Sequence, residues 1–254
     1  EKWRGWRRFL LSFTMVFSIM QIDLFALSIW GIGDGVDPQM GGHAAPKDKS
    51  LVDMGAKYTW AIVEKDEWHR LFTPMLLHGG WIQLLLDILM QLRFGSFVEA
   101  EIGHIAFLII YVLSGAFGNL ASAFFEPKSL YVGCSPSLMG VIGASMVWSK
   151  ILPPKENITR TMDCIALGTC LVVIMCMSYL PNADVIAHLG GLLMGICLAI
   201  MLFSQKWKTK ARKSLAAFVG LAFSAALFAI LFVFLSGMRT ENLKIEDWPP
   251  RKVI

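Results

Sequence analysis

A serine in Gly133-Cys134-Ser135-Pro136 and a histidine in Ala187-His188-Leu189-Gly190-Gly191 are the residues of this chain best suited to chemistry. A serine hydroxyl becomes a nucleophile when a base comes within hydrogen-bond reach, so such a pair would attack a carbonyl and pass through a covalent intermediate. Both residues stand near the start of long apolar runs, which places the chemistry inside a bilayer if the two meet. Ionisable residues in such runs are functional candidates by default. Each also has a plainer reading. Ser135 before Pro136 suits a helix cap with proline at the first helical position, and His188 suits a polar residue hydrogen-bonded within a bundle.

The elements that must position them follow from composition. Hydrophobic residues fill 56% of the 254 positions and charged residues 17%, with a mean hydropathy of +0.58. That excludes a soluble globular domain. A spanning helix needs roughly 20 apolar residues, and such runs cover about residues 9–30, 76–97, 105–125, 135–151, 162–180, 185–203 and 216–235. Short connections predict one bundle, an all-α polytopic membrane protein with a single domain over residues 1–254.

Basic residues fall in three clusters: Lys2, Arg4, Arg7 and Arg8; Lys150, Lys155 and Arg160; Lys206, Lys208, Lys210, Arg212 and Lys213. Seven spans put all three on one side, as expected for the face that is not translocated, with the amino end inside and residues 239–254 outside. Juxtamembrane placement accounts for the run at 206–213 and argues against nucleic acid as a partner. The first run is too long for a signal peptide and has no cleavage site after it, so it is expected to remain as an anchor. The five cysteines lie in or beside the runs and show no disulfide or metal spacing, and His43 and His69 lack partners at ligand spacing. No metal and no cofactor are expected.

Ser135 opens the fourth run and His188 lies a few residues into the sixth, both entering from the outer face, so the two share a depth. Gly133, Gly140, Gly143 and Ala144 line one run and Gly190, Gly191 and Gly195 the other. Small residues at such spacings let helix backbones in lipid approach closely.

Taken together, Gly133-x-Ser135 with Gly140 beyond it, Ala187-His188-x-Gly190-Gly191-x-x-x-Gly195, and Glu67-Trp68-His69-Arg70-Leu71-Phe72-Thr73-Pro74 resemble the rhomboid superfamily over about residues 57–203. The resemblance implies a six-helix core, its first helix ahead of that range in the expected place, and one carboxy-terminal transmembrane helix at about 216–235, seven spans in all. It implies an intramembrane serine endopeptidase that cuts transmembrane segments of membrane proteins, with Ser135 as nucleophile, His188 as general base and neither metal nor cofactor. Its partners would be transmembrane helices and the lipid bilayer. Glu67, Trp68 and Arg70 would brace an interfacial loop, Glu99 would be a further stabilising charge, and Gly133, Gly140, Gly190, Gly191 and Gly195 would serve packing. The added carboxy-terminal helix resembles the secretory-pathway and plasma-membrane branch more than the mitochondrial one, which the sequence does not exclude.

Four positions depart from the family pattern. Counting from His78, the histidine and asparagine that hold the oxyanion in active members are Gln83 and Asp87 here. They share one helical face and should point together into the core, either at the oxyanion or paired with each other. A glutamine amide can donate to an oxyanion, whereas an ionised carboxylate opposes it; losing one donor costs roughly 10²- to 10³-fold in rate. Pro136 stands where the family has glycine, and leaves the Ser135 N–H free. Met139 replaces the aromatic residue on which the histidine ring rests, and methionine orients a ring less well. Two classes therefore stay open. One is a working protease; the other is a rhomboid pseudoprotease with a degraded oxyanion hole that binds transmembrane clients or joins a membrane complex.

Overall fold

The computed structural model describes residues 12–31, 35–37, 44–151, 161, 165, 168, 172, 184–207 and 209–244. Most of the fifth expected run, 162–180, lies outside the described residues, as do the basic residues at 2–8, Lys155, Arg160 and Lys208.

Helix α1, Phe13–Ala26, continues through a π turn at Leu27–Gly31. Its buried positions are Thr14, Ser18 and Gln21, while Val16, Ile19, Met20 and Ile22 are exposed. The polar stripe faces the bundle and the apolar surface faces outward, as lipid as solvent demands. Three polar partners satisfy the inner end of that stripe: Gln21 Nε2 donates to the Met75 carbonyl and the Tyr111 hydroxyl, each at 3.1 Å, and Gln21 Oε1 accepts from Gln91 at 3.2 Å. The sequence alone offers Gln21 no such partner.

The following loop holds α2, Asp48–Asp53, and α3, Thr59–Glu64, then two 3₁₀ turns at Trp68–Leu71 and Thr73–Leu76. Arg70 organises it. Its guanidinium donates to Glu67 at 2.5 Å and to the carbonyls of Val52 and Ala56 at 2.7 and 3.1 Å, while Trp68 packs on Phe232 with ring centroids 4.6 Å apart.

Helix α4, Trp81–Met90, passes through a π segment, Gln91–Gly95, into α5, Ser96–Ile102. The expected second run thus starts later, because the second 3₁₀ turn and Gly79-Gly80 intervene, and ends later, because the buried Glu99 finds partners. Its carboxylate accepts from the backbone N–H groups of Phe13 at 2.8 Å and Thr14 at 3.0 Å, and meets His104 Nδ1 at 2.6 Å, pinning the start of α1.

Helices α6, His104–Phe125, α7, Ser135–Ile151, and α8, Val185–Leu202, form the centre, with α8 packed on both others; α9, Lys210–Ser236, lies outside α6 and α8. It begins six residues before its apolar run because Thr209 caps it, accepting from Arg212 N at 3.3 Å. Among the described residues five helices are long and apolar enough to cross a membrane: Phe13–Gly31, Trp81–Ile102, His104–Phe125, Val185–Leu202 and Lys210–Ser236. The described residues show five of the expected seven. The fourth run is α7, described only as far as Ile151, and most of the fifth lies outside the described residues.

Candidate active site

Two turns deliver the serine and the histidine. The chain enters α7 through Gly133, which has φ +141° and whose added Cβ would stand 2.5 Å from Gln83 Nε2. Glycine is required there on both counts. Cys134, not Ser135, sits at the cap position, since its carbonyl accepts from Leu138 N at 3.1 Å and α7 begins at Ser135. Pro136 then falls in the first turn, where its missing N–H costs no helical bond. The serine hydroxyl is therefore not used in capping. Its Oγ shares a hydrogen bond of 2.9 Å with the Tyr131 hydroxyl.

Helix α8 is capped by Asp184, whose Oδ1 accepts from Ala187 N at 2.8 Å and whose Oδ2 accepts from the Ser122 hydroxyl. One turn on, Nδ1 of the buried His188 bonds the Asp184 carbonyl. A carbonyl oxygen can only accept, so Nδ1 carries the proton and a neutral His188 keeps its lone pair on Nε2. That is the tautomer a general base needs. The Tyr131 ring meets the His188 ring edge to face at 6.4 Å and 81°. No hydrogen bond joins Ser135 to His188 directly among the described residues; Tyr131 touches both.

Tyr131 is itself held by Lys57 through an antiparallel bridge, with N–H to carbonyl distances of 2.9 and 3.3 Å. The Lys57 ammonium turns toward Ser129 Oγ at 2.6 Å and the Glu126 carbonyl at 3.2 Å. Burial pushes its pKa down to about 8 against the pull of Asp184 and Glu126. Burial also raises the Tyr131 phenol well above its ordinary range, so it stays protonated beside Ser135.

The helices carrying the pair meet backbone to backbone. A Cβ on Gly191 would stand 2.1 Å from the Pro136 carbonyl oxygen, one on Gly195 2.0 Å from that of Gly140, and one on Gly143 2.6 Å from that of Leu192. Gly190 faces α6 less tightly, where an added Cβ would stand 3.1 Å from Ala121 Cβ and 3.2 Å from Gly118 Cα. Met139 is buried in the main core.

The opposite wall is α4. Gln83 does not pair with Asp87: its Oε1 accepts from Gly79 N and its Nε2 donates to the Val132 carbonyl, both at 2.8 Å. It straps the segment before α7 to the start of α4, leaving one amide hydrogen free. Asp87 instead approaches the buried His78, with Oδ2 3.3 Å from Nε2, but without hydrogen-bond geometry.

The rhomboid domain model matches residues 65–205, more than half of the chain. The chain belongs to the rhomboid family. Rhomboid-like protein 6 of Arabidopsis thaliana, whose name adds "mitochondrial", is 35% identical over 162 residues, 63% of this chain and 52% of the relative. Two Toxoplasma gondii relatives are named proteases: rhomboid-like protease 3, 34% identical over 60% of this chain and 58% of its own length, and rhomboid-like protease 1, 32% identical over 74% and 66%. The chain spans between half and two thirds of these relatives. It is a multi-pass membrane protein of a family of intramembrane serine proteases.

Within this rhomboid the sequence motifs single out Ser135 and His188, and the structure sets Tyr131, Asp184 and Lys57, which no motif singles out, beside them. Asp184 carries a readable signal, an aspartate immediately before an apolar helical run. Tyr131 and Lys57 matter through a bridge between distant segments, which no local pattern announces.

Proposed function

We propose that this rhomboid is an intramembrane serine endopeptidase that cuts transmembrane segments of other membrane proteins. The observation that carries the reading is the His188 tautomer fixed by the Asp184 carbonyl, in contact with the tyrosine that holds Ser135. Ser135 Oγ attacks the carbonyl of a locally unwound substrate helix as His188 Nε2 takes its proton. The imidazolium is steadied through Nδ1–H by the Asp184 carbonyl and returns the proton to the leaving amine; water then releases the acyl group by the same route. Closing the remaining gap between hydroxyl and imidazole requires substrate to displace the Tyr131 bond, in keeping with catalytic hydrogen bonds that tighten on binding. The Ser135 N–H, in the first turn of α7, and the spare Gln83 amide hydrogen are the oxyanion donors. The proposed frame is a six-helix core with α9 as a seventh span. The helix added after the core favours the secretory pathway or plasma membrane; the Arabidopsis relative's name keeps the mitochondrion in view.

A pseudoprotease that binds transmembrane clients is the second reading, favoured by Asp87, a carboxylate near the donors, and by Gln83 being committed to Val132. Cleavage of a transmembrane reporter by purified protein in liposomes separates the two. Cleavage lost in Ser135→Ala and His188→Ala supports the protease. Silence of wild type alongside activity of Gln83→His with Asp87→Asn supports the pseudoprotease, and silence of both sinks the protease reading.

A further inference from the structure

His78, Asp87 and Cys134 converge behind the nucleophile in a way the proposed mechanism does not use. All three are buried, and one ligand atom from each lies within 4.8 Å of the other two. Among the described residues both His78 ring nitrogens and Asp87 Oδ2 are buried without a hydrogen-bond partner. A natural bundle seldom leaves three such atoms unpaired in one place, and in lipid the cost of doing so is greater still. The Cys134 thiol has the Asp87 carboxylate, the Tyr111 hydroxyl and the Gln21 amide beside it, so the thiol and the carboxylate already meet, while neither the tyrosine nor the glutamine reaches the imidazole in hydrogen-bond geometry.

We infer that these three residues bind a divalent transition-metal ion of the zinc class. A tetrahedral zinc ion with bonds of about 2.0–2.3 Å sets its nitrogen and oxygen ligands roughly 3.4 Å apart and its sulfur about 3.6 Å from either. His78 Nε2 and Asp87 Oδ2 stand 3.3 Å apart with the wrong angles for a hydrogen bond, which is the edge of such a tetrahedron. Cys134 Sγ, within 4.8 Å of both, completes the third corner by moving inward. Thiolate, carboxylate and neutral imidazole carry two negative charges, so a dication makes the group neutral, the state a membrane interior favours. A thiolate with an imidazole selects zinc or cobalt over magnesium and calcium. Asp87 keeps a tenth of its side chain exposed, which gives the ion an entry. The fourth position is left to water, as in three-ligand zinc sites. Spacing in the sequence conceals the site, because its ligands come from a loop, the middle of α4 and the cap of α7. The inference holds whether or not the chain cleaves anything.

The test uses the full chain in detergent and cobalt(II) as an optical probe. Wild type should take up one cobalt ion with a thiolate-to-cobalt charge-transfer band and tetrahedral visible bands, all displaced by zinc. Cys134→Ser should lose the charge-transfer band, and Asp87→Asn and His78→Ala should each weaken binding at least tenfold. Zinc should raise the melting temperature of wild type but not of Cys134→Ser. Absence of the charge-transfer band in wild type, or equal binding by wild type and Cys134→Ser, overturns the site. Should Cys134→Ser fail to fold, the near-isosteric Asp87→Asn decides on affinity alone: unchanged cobalt binding there rejects the assignment.

Discussion

On the wall made by α7 and α8, the hydroxyls of Tyr131 and Ser135, the carboxylate of Asp184 and Nδ1 of His188 all have hydrogen-bond partners within the chain. On the wall made by α4 and the loop before it, both nitrogens of His78 and one oxygen of Asp87 have none among the described residues. The first wall is over-determined: glycine contacts fix the backbones, a cap fixes the histidine helix, and a bridged tyrosine fixes the hydroxyl. The second has one strap, Gln83, and a pair of buried groups that the protein alone leaves unsatisfied. The difference teaches that the dyad and the ground opposite it are separable structures, so substitutions on the two walls should move different observables.

The largest effect is expected at the glycine contacts. A side chain at 195 meets the backbone of Gly140, with its Cβ 2.0 Å from the carbonyl oxygen and 2.5 Å from both carbons, so the helices themselves must part. Gly195→Val should cost about 3 kcal/mol, the upper end for overpacking, and abolish cleavage. Leu189→Ala, on the exposed side of the same helix, should leave thermal unfolding in detergent almost unmoved. Equal melting temperatures for the two variants would show that the contact between α7 and α8 does not hold the dyad.

Next comes Lys57, a buried cation bridged to Tyr131. Its native pKa, about 8 against an ordinary 10.5, is depressed by burial. Below pH 8 the lysine is protonated in both folded and unfolded chains, and the penalty is present in full. Between pH 8 and 10.5 the unfolded chain binds the extra proton, so stability rises with pH, by about 3 kcal/mol in all. The melting temperature of wild type should climb relative to Lys57→Met over that window. Parallel curves would mean that the ammonium is better solvated than its position implies.

What could be read from the sequence divides along the same line. Apolar runs show the helices, and Ser135, His188 and the glycines at 140, 191 and 195 show the close pair, because each signal is local and periodic. The fine placement of Ser135 was not legible. A serine before a proline reads as a cap, yet Cys134 takes that position since the turn through Gly133 leaves the Cys134 carbonyl, one residue earlier, to close the helix. Pairing of Gln83 with Asp87 is sound on helical geometry alone and fails because the Val132 carbonyl, brought in by a separate segment, competes for the amide. Tyr131 and Lys57 were hidden for the same reason.

On the second wall, Asp87→Asn removes the carboxylate charge near His188 and Tyr131, and restores an amide to the family's donor position. If the chain cleaves, the rate should rise about 10-fold, since a single oxyanion donor is worth roughly 10²- to 10³-fold when ideally placed and this one faces His78. A fall in rate with unchanged thermal stability would mean instead that the carboxylate assists turnover.

The smallest effect tests the link between Ser135 and His188. Tyr131→Phe keeps the ring against His188 and deletes only the hydroxyl on Ser135, a bond worth about 1 kcal/mol. If the tyrosine merely parks the serine in the resting enzyme, its loss frees the nucleophile and kcat should rise about threefold with little change in KM. If the hydroxyl also orients Oγ during attack, kcat should fall by about the same factor. The resting geometry favours the first outcome: the Tyr131 hydroxyl is the side-chain partner of Ser135 Oγ, whichever of the two donates, and its removal leaves Oγ free to turn toward His188.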